Sequence, residues 1–384
     1  MAERTTVCVA GAGPVGLHAA ALIRQNGFPV TVLEEDSEVG KPTNCSGLIS
    51  ASGVRELGLD ISSCIVADIY GANIYSPSGI KLEVRMPVPV AKLVDRYKFD
   101  KMFEEKAIKA GVEIKRNSKF LDMNNGVVYY TFNKRGERLK TDILVGSDGA
   151  KSTARKLVGF DPKGESFIHS YQETVQGTFE PGIVELYFGA FAHGLFAWII
   201  PSDSKTAKVG IGVKLGELNP AQQLEKFKQH KGFDWQVLGK ESFLIPWDRP
   251  LPLFQKDNIL LVGDAAFQTK ATTGGGLMLG LECAEFLAET VVEHMKGKKK
   301  GLEDYGRKCS KIRKELEIHN KVSKYIYGLS DAEIDIYFRK LKKAGIESFL
   351  EEHGHMDKPS KFAGNVLAKP GFWQFIPTAM KILF

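Results

Sequence analysis

The amino terminus carries a glycine pattern that determines how its first residues fold. The apolar run Val7–Ala10 leads into Gly11, Gly13 and Gly16, spaced as Gly-x-Gly-x-x-Gly. The first glycine permits a tight turn, the second lets a phosphate approach the backbone, and the third lets a helix pack closely on the strand. The pattern predicts a strand, a turn and a helix over residues 17–25, which together begin a Rossmann-like, dinucleotide-binding unit.

A second predicted strand ends at an acidic residue. Val30–Leu33 is apolar, and Glu34 follows it about twenty residues after the glycines. An acidic side chain at this position accepts hydrogen bonds from ribose hydroxyls. The predicted contacts of this unit with a dinucleotide are Gly11, Gly13, Pro14, Gly16 and Glu34.

A late segment identifies the dinucleotide. Gly263-Asp264 follows the apolar residues 259–262, and three consecutive glycines precede Leu277 shortly afterwards. The aspartate can accept a hydrogen bond from a ribityl hydroxyl, and the first N–H groups of a following helix can face the pyrimidine edge of a flavin, which is negative when reduced. The two glycine patterns together predict FAD. The predicted contacts in this segment are Gly263, Asp264, Gly274, Gly275, Gly276 and Leu277.

A third segment lies between these two patterns. Asp148-Gly149 follows the apolar residues 143–146 and precedes Arg155. With the three segments in this order, the chain resembles the p-hydroxybenzoate hydroxylase-like flavoproteins. The resemblance implies that Asp148 and Gly149 lie near the pyrophosphate and that Arg96 lies on the flavin-binding face. Without the resemblance, Arg96 is interpreted equally well as a solvated arginine at a helix start.

Two further segments resemble the geranylgeranyl reductases. The sequence Phe196-x-Trp198-x-Ile200-Pro201 is similar to the motif that marks their hydrophobic substrate cavity, although isoleucine replaces a phenylalanine. The motif also approaches that of flavin-dependent halogenases, and aromatic residues on one strand face commonly pack in a core. The predicted substrate contacts are Phe196, Trp198 and Pro201 of this motif, and Tyr187 of the predicted substrate domain.

The loop that contains Cys45 is similar to the cysteine-bearing loop of the archaeal geranylgeranyl reductases. The resemblance implies a catalytic role for Cys45 and cofactor contacts for Cys45 and Gly47. The glycine-rich segment 268–276 is similar to those members too, except that Ala271 stands where a proline is usual. An inert buried thiol is the alternative interpretation of Cys45.

The resemblance implies that C=C bonds of geranylgeranyl chains, in archaeal membrane lipid precursors, are saturated by hydride from N5 of reduced FAD plus a proton. A thiol is ordinarily protonated at neutral pH and can donate or relay that proton. An aromatic face such as Trp198 can stabilise positive charge that develops on the substrate. The alternatives are an FAD monooxygenase or halogenase, and a flavin-bearing protein that binds lipid or carries electrons.

The composition limits which binding partners and which cellular location are expected. The chain has 384 residues, a formal net charge of +6 and no basic motif interleaved with aromatic residues, so no nucleic acid is expected. No run of about eighteen apolar residues and no secretion signal are present, which predicts a cytoplasmic protein. Five scattered cysteines without CxxC spacing predict no metal centre. The expected partners are an isoprenoid lipid and an electron donor such as ferredoxin or NAD(P)H.

Two basic runs, at residues 296–300 and 339–343, are expected to be solvated faces, with contact to anionic membrane headgroups as the alternative. The apolar tail at residues 371–377 and 382–384 is expected to pack on the protein or to touch a lipid surface. Peripheral membrane association therefore stays open.

The predicted fold class is mixed α/β and α+β. The segments assigned to a discontinuous, Rossmann-like FAD-binding domain are residues 1–64, 92–159 and 257–297. Residues 65–91 and 160–256 are assigned to an antiparallel-sheet substrate domain, and residues 298–384 to a helical carboxyl-terminal region. Within that region, Ser330 and Glu333 form a capping box that predicts a helix start.

Overall fold

A computed structural model describes residues 3–251, 254–298, 301–361 and 369–375. The strands are β1 (Glu3–Arg4), β2 (Val7–Ala10), β3 (Val30–Leu33), β4 (Leu48–Ser50), β5 (Ile65–Ile69), β6 (Gly71–Tyr75), β7 (Lys81–Arg85), β8 (Ala91–Val94), β9 (Glu113–Lys115), β10 (Ser118–Asn124), β11 (Val127–Phe132), β12 (Arg135–Lys140), β13 (Ile143–Gly146), β14 (Phe167–Gln176), β15 (Ile183–Tyr187), β16 (Gly194–Pro201), β17 (Thr206–Lys214), β18 (Gln236–Pro246), β19 (Gln255–Lys256) and β20 (Ile259–Leu261). The helices are α1 (Pro14–Gln25), α2 (Ala51–Glu56), α3 (Arg96–Lys109), α4 (Ala154–Leu157), α5 (Pro220–Lys231), α6 (Leu277–Met295), α7 (Asp304–Lys308), α8 (Ser310–Ile326), α9 (Asp331–Lys343) and α10 (Ile346–His353).

One sheet has six strands in the order β19-β20-β13-β2-β3-β9. All neighbours in it are parallel except β19 and β20. Every residue of β2, β3 and β13 is buried, as expected for parallel strands that are covered on both faces. The carboxyl ends of β2, β13 and β20 therefore meet at one edge of the sheet, where doubly wound folds bind their ligands.

A second sheet has seven strands in the order β18-β14-β17-β16-β15-β6-β7. Its neighbours are antiparallel except β15 and β6, which are parallel, so the expected antiparallel sheet is in fact mixed. One face packs against Leu224 and Phe227 of α5. The opposite face packs against Ile69, Leu93 and Ala271, which lie close to the predicted cofactor segments.

Two smaller sheets complete the strand structure. The order of one is β4-β8-β5, and that of the other is β1-β12-β11-β10. Within the part of the chain that the structure describes, all strands of the six-stranded sheet except β19 come from the segments assigned to the FAD-binding domain. The domain boundaries themselves stay a prediction.

The carboxyl-terminal region is helical where it is described. The side chain of Ser330 accepts a hydrogen bond from the backbone of Glu333, whose carboxylate in turn accepts from Ser330, which confirms the predicted capping box at α9. Ile334 and Phe338 of α9 pack against Leu82 of β7.

The predicted apolar tail is described in part. Phe372 is buried, and its ring centroid lies 4.7 Å from that of Phe349, whereas Trp373 is exposed. The rest of the predicted tail, residues 376–377 and 382–384, lies outside the described residues. Among the described helices, none has the length and apolar character needed to cross a bilayer.

Candidate functional site

The first glycine turn packs directly on the end of β13. Gly11 has a φ of +95°, and a Cβ atom on it would lie 2.5 Å from the carbonyl oxygen of Ser147. A Cβ atom on Gly16 would lie 2.2 Å from Oγ of Ser147, which donates hydrogen bonds to the carbonyls of Ala10 (2.9 Å) and Gly11 (3.0 Å). Gly11 and Gly16 are therefore fixed by close packing within the protein.

Gly13 differs from these two glycines, because no heavy atom of the described residues, apart from Gly13 and its two chain neighbours, lies within 4 Å of the position where its Cβ atom would be. It is the N-cap of α1, and no side chain caps the first N–H groups of that helix. The helix starts at Pro14, earlier than the predicted residue 17, because proline is favoured in the first helical turn. Open space beside uncapped helix N–H groups fits a pyrophosphate.

Glu34 is held against this turn. One carboxylate oxygen accepts from the backbone N–H of Ala12 (2.8 Å) and the other from that of Asp36 (2.9 Å). Burial raises the pKa of Glu34, and the two backbone hydrogen bonds oppose that rise. A carboxylate has about four lone-pair sites, so Glu34 retains acceptor capacity for the hydroxyls of a ribose.

Replacing Glu34 with leucine is expected to weaken FAD binding by about 1–3 kcal/mol, because the acceptor is lost and two N–H groups lose their partner. The measurement is the dissociation constant of FAD with apo-protein, followed by flavin fluorescence. Glu35→Leu is the matched control, because the side chain of Glu35 is 56% exposed and pairs with Lys119 at the surface. Equal FAD affinity in Glu34→Leu and in the control would contradict the assignment.

Asp148 and Gly149 lie next to the same turn. The Cα atom of Asp148 is 3.0 Å from the position of a Cβ atom on Gly11, and Gly149 has a φ of +72°. The Asp148 carboxylate, however, is turned towards α4, where it accepts from the backbone N–H groups of Thr153 (2.7 Å) and Ala154 (3.0 Å). Asp148 thus stabilises the segment after β13, and its backbone, rather than its carboxylate, faces the turn.

The sequence pattern assigns no role to Arg155, which follows Asp148 and Gly149 in the chain. Its guanidinium is buried and donates to the carbonyls of Ala150 (2.7 Å) and Ala265 (3.3 Å). Its carbon Cζ lies 4.9 Å from the ring centroid of Phe267. Burial lowers the pKa of Arg155, and nearby carboxylates including Asp264 oppose that effect. Arg155 therefore ties the middle cofactor segment to the late one.

The late segment brings Asp264 to the start of α6. Oδ1 of Asp264 accepts from the hydroxyl of Thr269 (2.9 Å) and lies 3.2 Å from the position of a Cβ atom on Gly276. Gly276 is the N-cap of α6, Leu277 is its first residue, and no side chain caps its N–H groups. Gly263 and Gly274 have φ values of +67° and +72°. Burial raises the pKa of Asp264, and Thr269, Arg96 and Arg155 lower it.

Arg96 interacts electrostatically with both Asp264 and Cys45. Its guanidinium donates to Oδ1 of Asp100 at 2.8 Å. Burial disfavours its charge, but Asp100 and the sulfur of Cys45 outweigh burial and raise the pKa of Arg96. The sulfur also accepts from the N–H of Gly47 at 3.4 Å. The cysteine-bearing loop is therefore adjacent to the segments that supply Asp264.

The Cys45 loop also contacts the seven-stranded sheet. The carbonyl of Cys45 accepts from Nε2 of Gln172 (3.3 Å) and from Nζ of Lys208 (3.3 Å). In the strand register, Trp198 pairs with Gly210, and Gly210 pairs with Gln172, so these three residues share one sheet face. The indole ring of Trp198 covers Gly210, since a Cβ atom there would lie 2.4 Å from Cζ2 of the ring.

Phe196 belongs to the same face. Its ring packs edge-on against that of Trp198, with centroids 6.2 Å apart, and both residues belong to one buried cluster. The structure therefore brings Cys45, Phe196 and Trp198 to one side of the sheet.

Tyr187 and Pro201, the other two predicted substrate contacts, do not lie on this face. Tyr187 pairs in register with Ala197, so it lies on the face opposite Trp198. There its ring stacks on Tyr75, with centroids 4.6 Å apart, and packs edge-on against Phe227. Pro201 falls on that face too, because it is an even number of residues after Ala197.

Comparisons with known proteins identify the family of the chain. The family model described as an FAD binding domain matches residues 4–319. Digeranylgeranylglycerophospholipid reductase 2 of Methanothermobacter thermautotrophicus is 28% identical over 89% of this chain and 93% of its own length. Digeranylgeranylglycerophospholipid reductase 1 of Methanopyrus kandleri is 30% identical over 75% of this chain and 80% of its own length.

The fold has a close counterpart among solved structures. A geranylgeranyl bacteriochlorophyll reductase-like protein of Thermoplasma acidophilum superposes with a TM-score of 0.86 at 20% identity and covers 100% of both chains. This superposition confirms the predicted fold class. The chain therefore belongs to the FAD-binding domain family, with FAD as its cofactor, and within it to the family of digeranylgeranylglycerophospholipid reductases.

Proposed function

We propose that the protein is an FAD-dependent reductase that saturates C=C bonds in the geranylgeranyl chains of a glycerophospholipid. The observation that carries the proposal is the position of the Cys45 loop. Its sulfur lies against Arg96, next to the FAD segments, while its carbonyl is bound by Gln172 and Lys208 on the face that carries Trp198. The loop thus joins the cofactor side to an apolar, aromatic face.

The residues proposed to hold FAD are those beside open space and those whose polar groups can still form hydrogen bonds with the cofactor. Gly13 and the start of α1 would receive the pyrophosphate, Glu34 the ribose, Asp264 the ribityl chain, and the turn before Leu277 the pyrimidine edge. When bound, FAD supplies the hydride for the reduction.

The protein supplies the position of the alkene and a proton. Cys45 is half-buried and is the proposed proton donor or relay. Trp198 and Phe196 present ring faces that exclude water and can stabilise positive charge on the alkene by up to about 2 kcal/mol when desolvated. The reaction also needs an electron donor, for which ferredoxin and NAD(P)H are the proposed candidates.

An FAD monooxygenase or halogenase is the second candidate function. The observation in its favour is Lys208, because halogenation needs a lysine near the substrate and Lys208 lies on the face of Trp198. In the structure, however, Nζ of Lys208 donates to the carbonyl of Cys45.

Anaerobic chemistry separates the candidates. We expect photoreduced protein to be reoxidised by a digeranylgeranyl glycerophospholipid in the absence of oxygen, and the lipid to gain the mass of two hydrogens for each bond reduced. Product formation only with oxygen, or with oxygen and bromide, would instead establish the alternative. Lipid binding without any change in product mass would indicate a carrier protein.

Replacing Trp198 with alanine is expected to weaken binding of the lipid about tenfold and to change which double bonds react, because apolar area and a ring face are lost. The measurement is lipid titration of the FAD-bound protein, with product analysis by mass spectrometry. Trp235→Ala is the matched control, since Trp235 packs on Phe233 in the cluster of the opposite face. Equal lipid affinity in both variants would contradict the role of Trp198.

We propose that the protein takes its lipid from a membrane surface, which it contacts through the exposed lysines and arginine of residues 339–343 and through Trp373. Charge attraction to anionic headgroups and an exposed indole favour this contact. Co-sedimentation with anionic but not zwitterionic vesicles is the expected result, and equal recovery with both would contradict it.

A further inference from the structure

A buried ion pair lies beside the glycine turn that precedes α6. Nζ of Lys270 is 2.6 Å from Oδ1 of Asp357, and the two side chains are only 7% and 4% exposed. Removing two charges from water is unfavourable, and apolar residues often replace such pairs without loss of stability. Stability alone therefore gives a weak reason for this pair.

The lysine runs along the turn itself. A Cβ atom on Gly275 would lie 3.1 Å from Cε and 3.3 Å from Nζ of Lys270. The backbone N–H of Lys270 donates to the carbonyl of Gly275 (3.0 Å), and the N–H of Gly274 donates to the carbonyl of Lys270 (2.8 Å). The ammonium is thus fixed against the backbone of the turn proposed to face the pyrimidine edge of the flavin.

Among the described residues, the histidine that contacts this pair, His319, adds no charge to it. The carboxylate of Asp357 also accepts from the hydroxyl of Ser50, and its backbone carbonyl accepts from Nε2 of His319 at 3.3 Å. Nδ1 of His319 in turn accepts from the hydroxyl of Thr272 at 2.6 Å. Burial and the charge of Lys270 lower the pKa of His319 to about 4, so this histidine is neutral at neutral pH.

We propose that Lys270 and Asp357 set the reduction potential of the bound FAD, with Lys270 favouring the reduced form and Asp357 limiting that effect. Reduced flavin carries negative charge at its pyrimidine edge, and charges interact strongly where water is excluded. Lys270 and Asp357 act through the turn as tuning residues. The pair joins positions 87 residues apart, so the carboxyl-terminal segment takes part in tuning the cofactor.

The test is the midpoint potential of bound FAD in Lys270→Met and Asp357→Asn, measured anaerobically against reference dyes. We expect a lower potential in Lys270→Met and a higher one in Asp357→Asn. Each shift should correspond to at least a tenfold change in the ratio of reduced to oxidised FAD, which is about 30 mV for a two-electron couple. The double variant should return towards the wild-type value.

Opposite signs are the decisive outcome, because a pair that only holds the turn together would shift both potentials in one direction or in neither. Either of those results overturns the proposal.

If Lys270→Met does not fold, Lys270→Gln is expected to lower the midpoint potential in the same way. Lys228→Met is the matched control, since Lys228 and Glu173 form a comparably buried pair, 2.9 Å apart, beside α5. The measurement needs bound FAD but no lipid, so its failure is distinct from a failure of the proposed reaction.

Discussion

Replacing Gly13 with valine is expected to abolish most FAD binding while the apo-protein folds normally. Apart from residue 13 and its two chain neighbours, no heavy atom of the described residues lies within 4 Å of the new Cβ atom. The φ of Gly13 is −67°, which valine tolerates. The side chain would instead occupy the space proposed for the pyrophosphate. We expect FAD affinity to fall about a hundredfold, or about 2.8 kcal/mol, in a titration of apo-protein.

The control for this variant is Gly16→Val, where the new side chain would collide with Ser147. That variant should lower the unfolding temperature of the apo-protein, whereas Gly13→Val should leave it near the wild-type value. If Gly13→Val binds FAD with unchanged affinity, the pyrophosphate does not lie at this turn.

Replacing Cys45 with serine is expected to slow reduction of the lipid by roughly 100- to 10,000-fold, the range typical of a lost general acid. A hydroxyl is a far weaker proton donor than a thiol at nearly the same size. The measurement is single-turnover oxidation of reduced FAD by a geranylgeranyl glycerophospholipid under anaerobic conditions.

FAD content and reduction by dithionite should be unchanged in Cys45→Ser, which would separate a chemical effect from loss of the cofactor. Ser46→Ala is the matched control in the same loop and should keep the wild-type rate. A wild-type rate in Cys45→Ser would show that the thiol only packs, and the proton would then have to come from water or another group.

The parts of the protein that could be predicted from sequence depend on local rules. The glycines of the first turn predict a strand and a helix, because this motif depends only on residues that are close together in the sequence. Ser330 and Glu333 predict a helix start for the same reason. The approximate position of Cys45 came from resemblance to a family and not from any rule about the residues themselves.

The structure shows features that depend on residues far apart in the sequence and that local sequence patterns do not predict. Tyr187 and Trp198 both lie on apolar strands, but only the register with Ala197 shows that they occupy opposite faces. Lys270 and Asp357 are far apart in sequence, and each alone looks like a surface residue. A charged residue inside a glycine-rich turn, as at Lys270, is the signal that could have directed attention to this pair.

The position of β2 has a consequence for synthesis on the ribosome. This fully apolar strand leaves the ribosome well before one of its two partners, β13, which begins at residue 143. At about 5–20 residues per second, that partner arrives roughly 7–27 s after β2 has been made. During this interval the nascent chain exposes an apolar strand, one edge of which has no hydrogen-bonding partner and is prone to aggregation. Chaperone binding to a nascent chain that ends before β13 is therefore expected to increase the yield of folded protein in the cell.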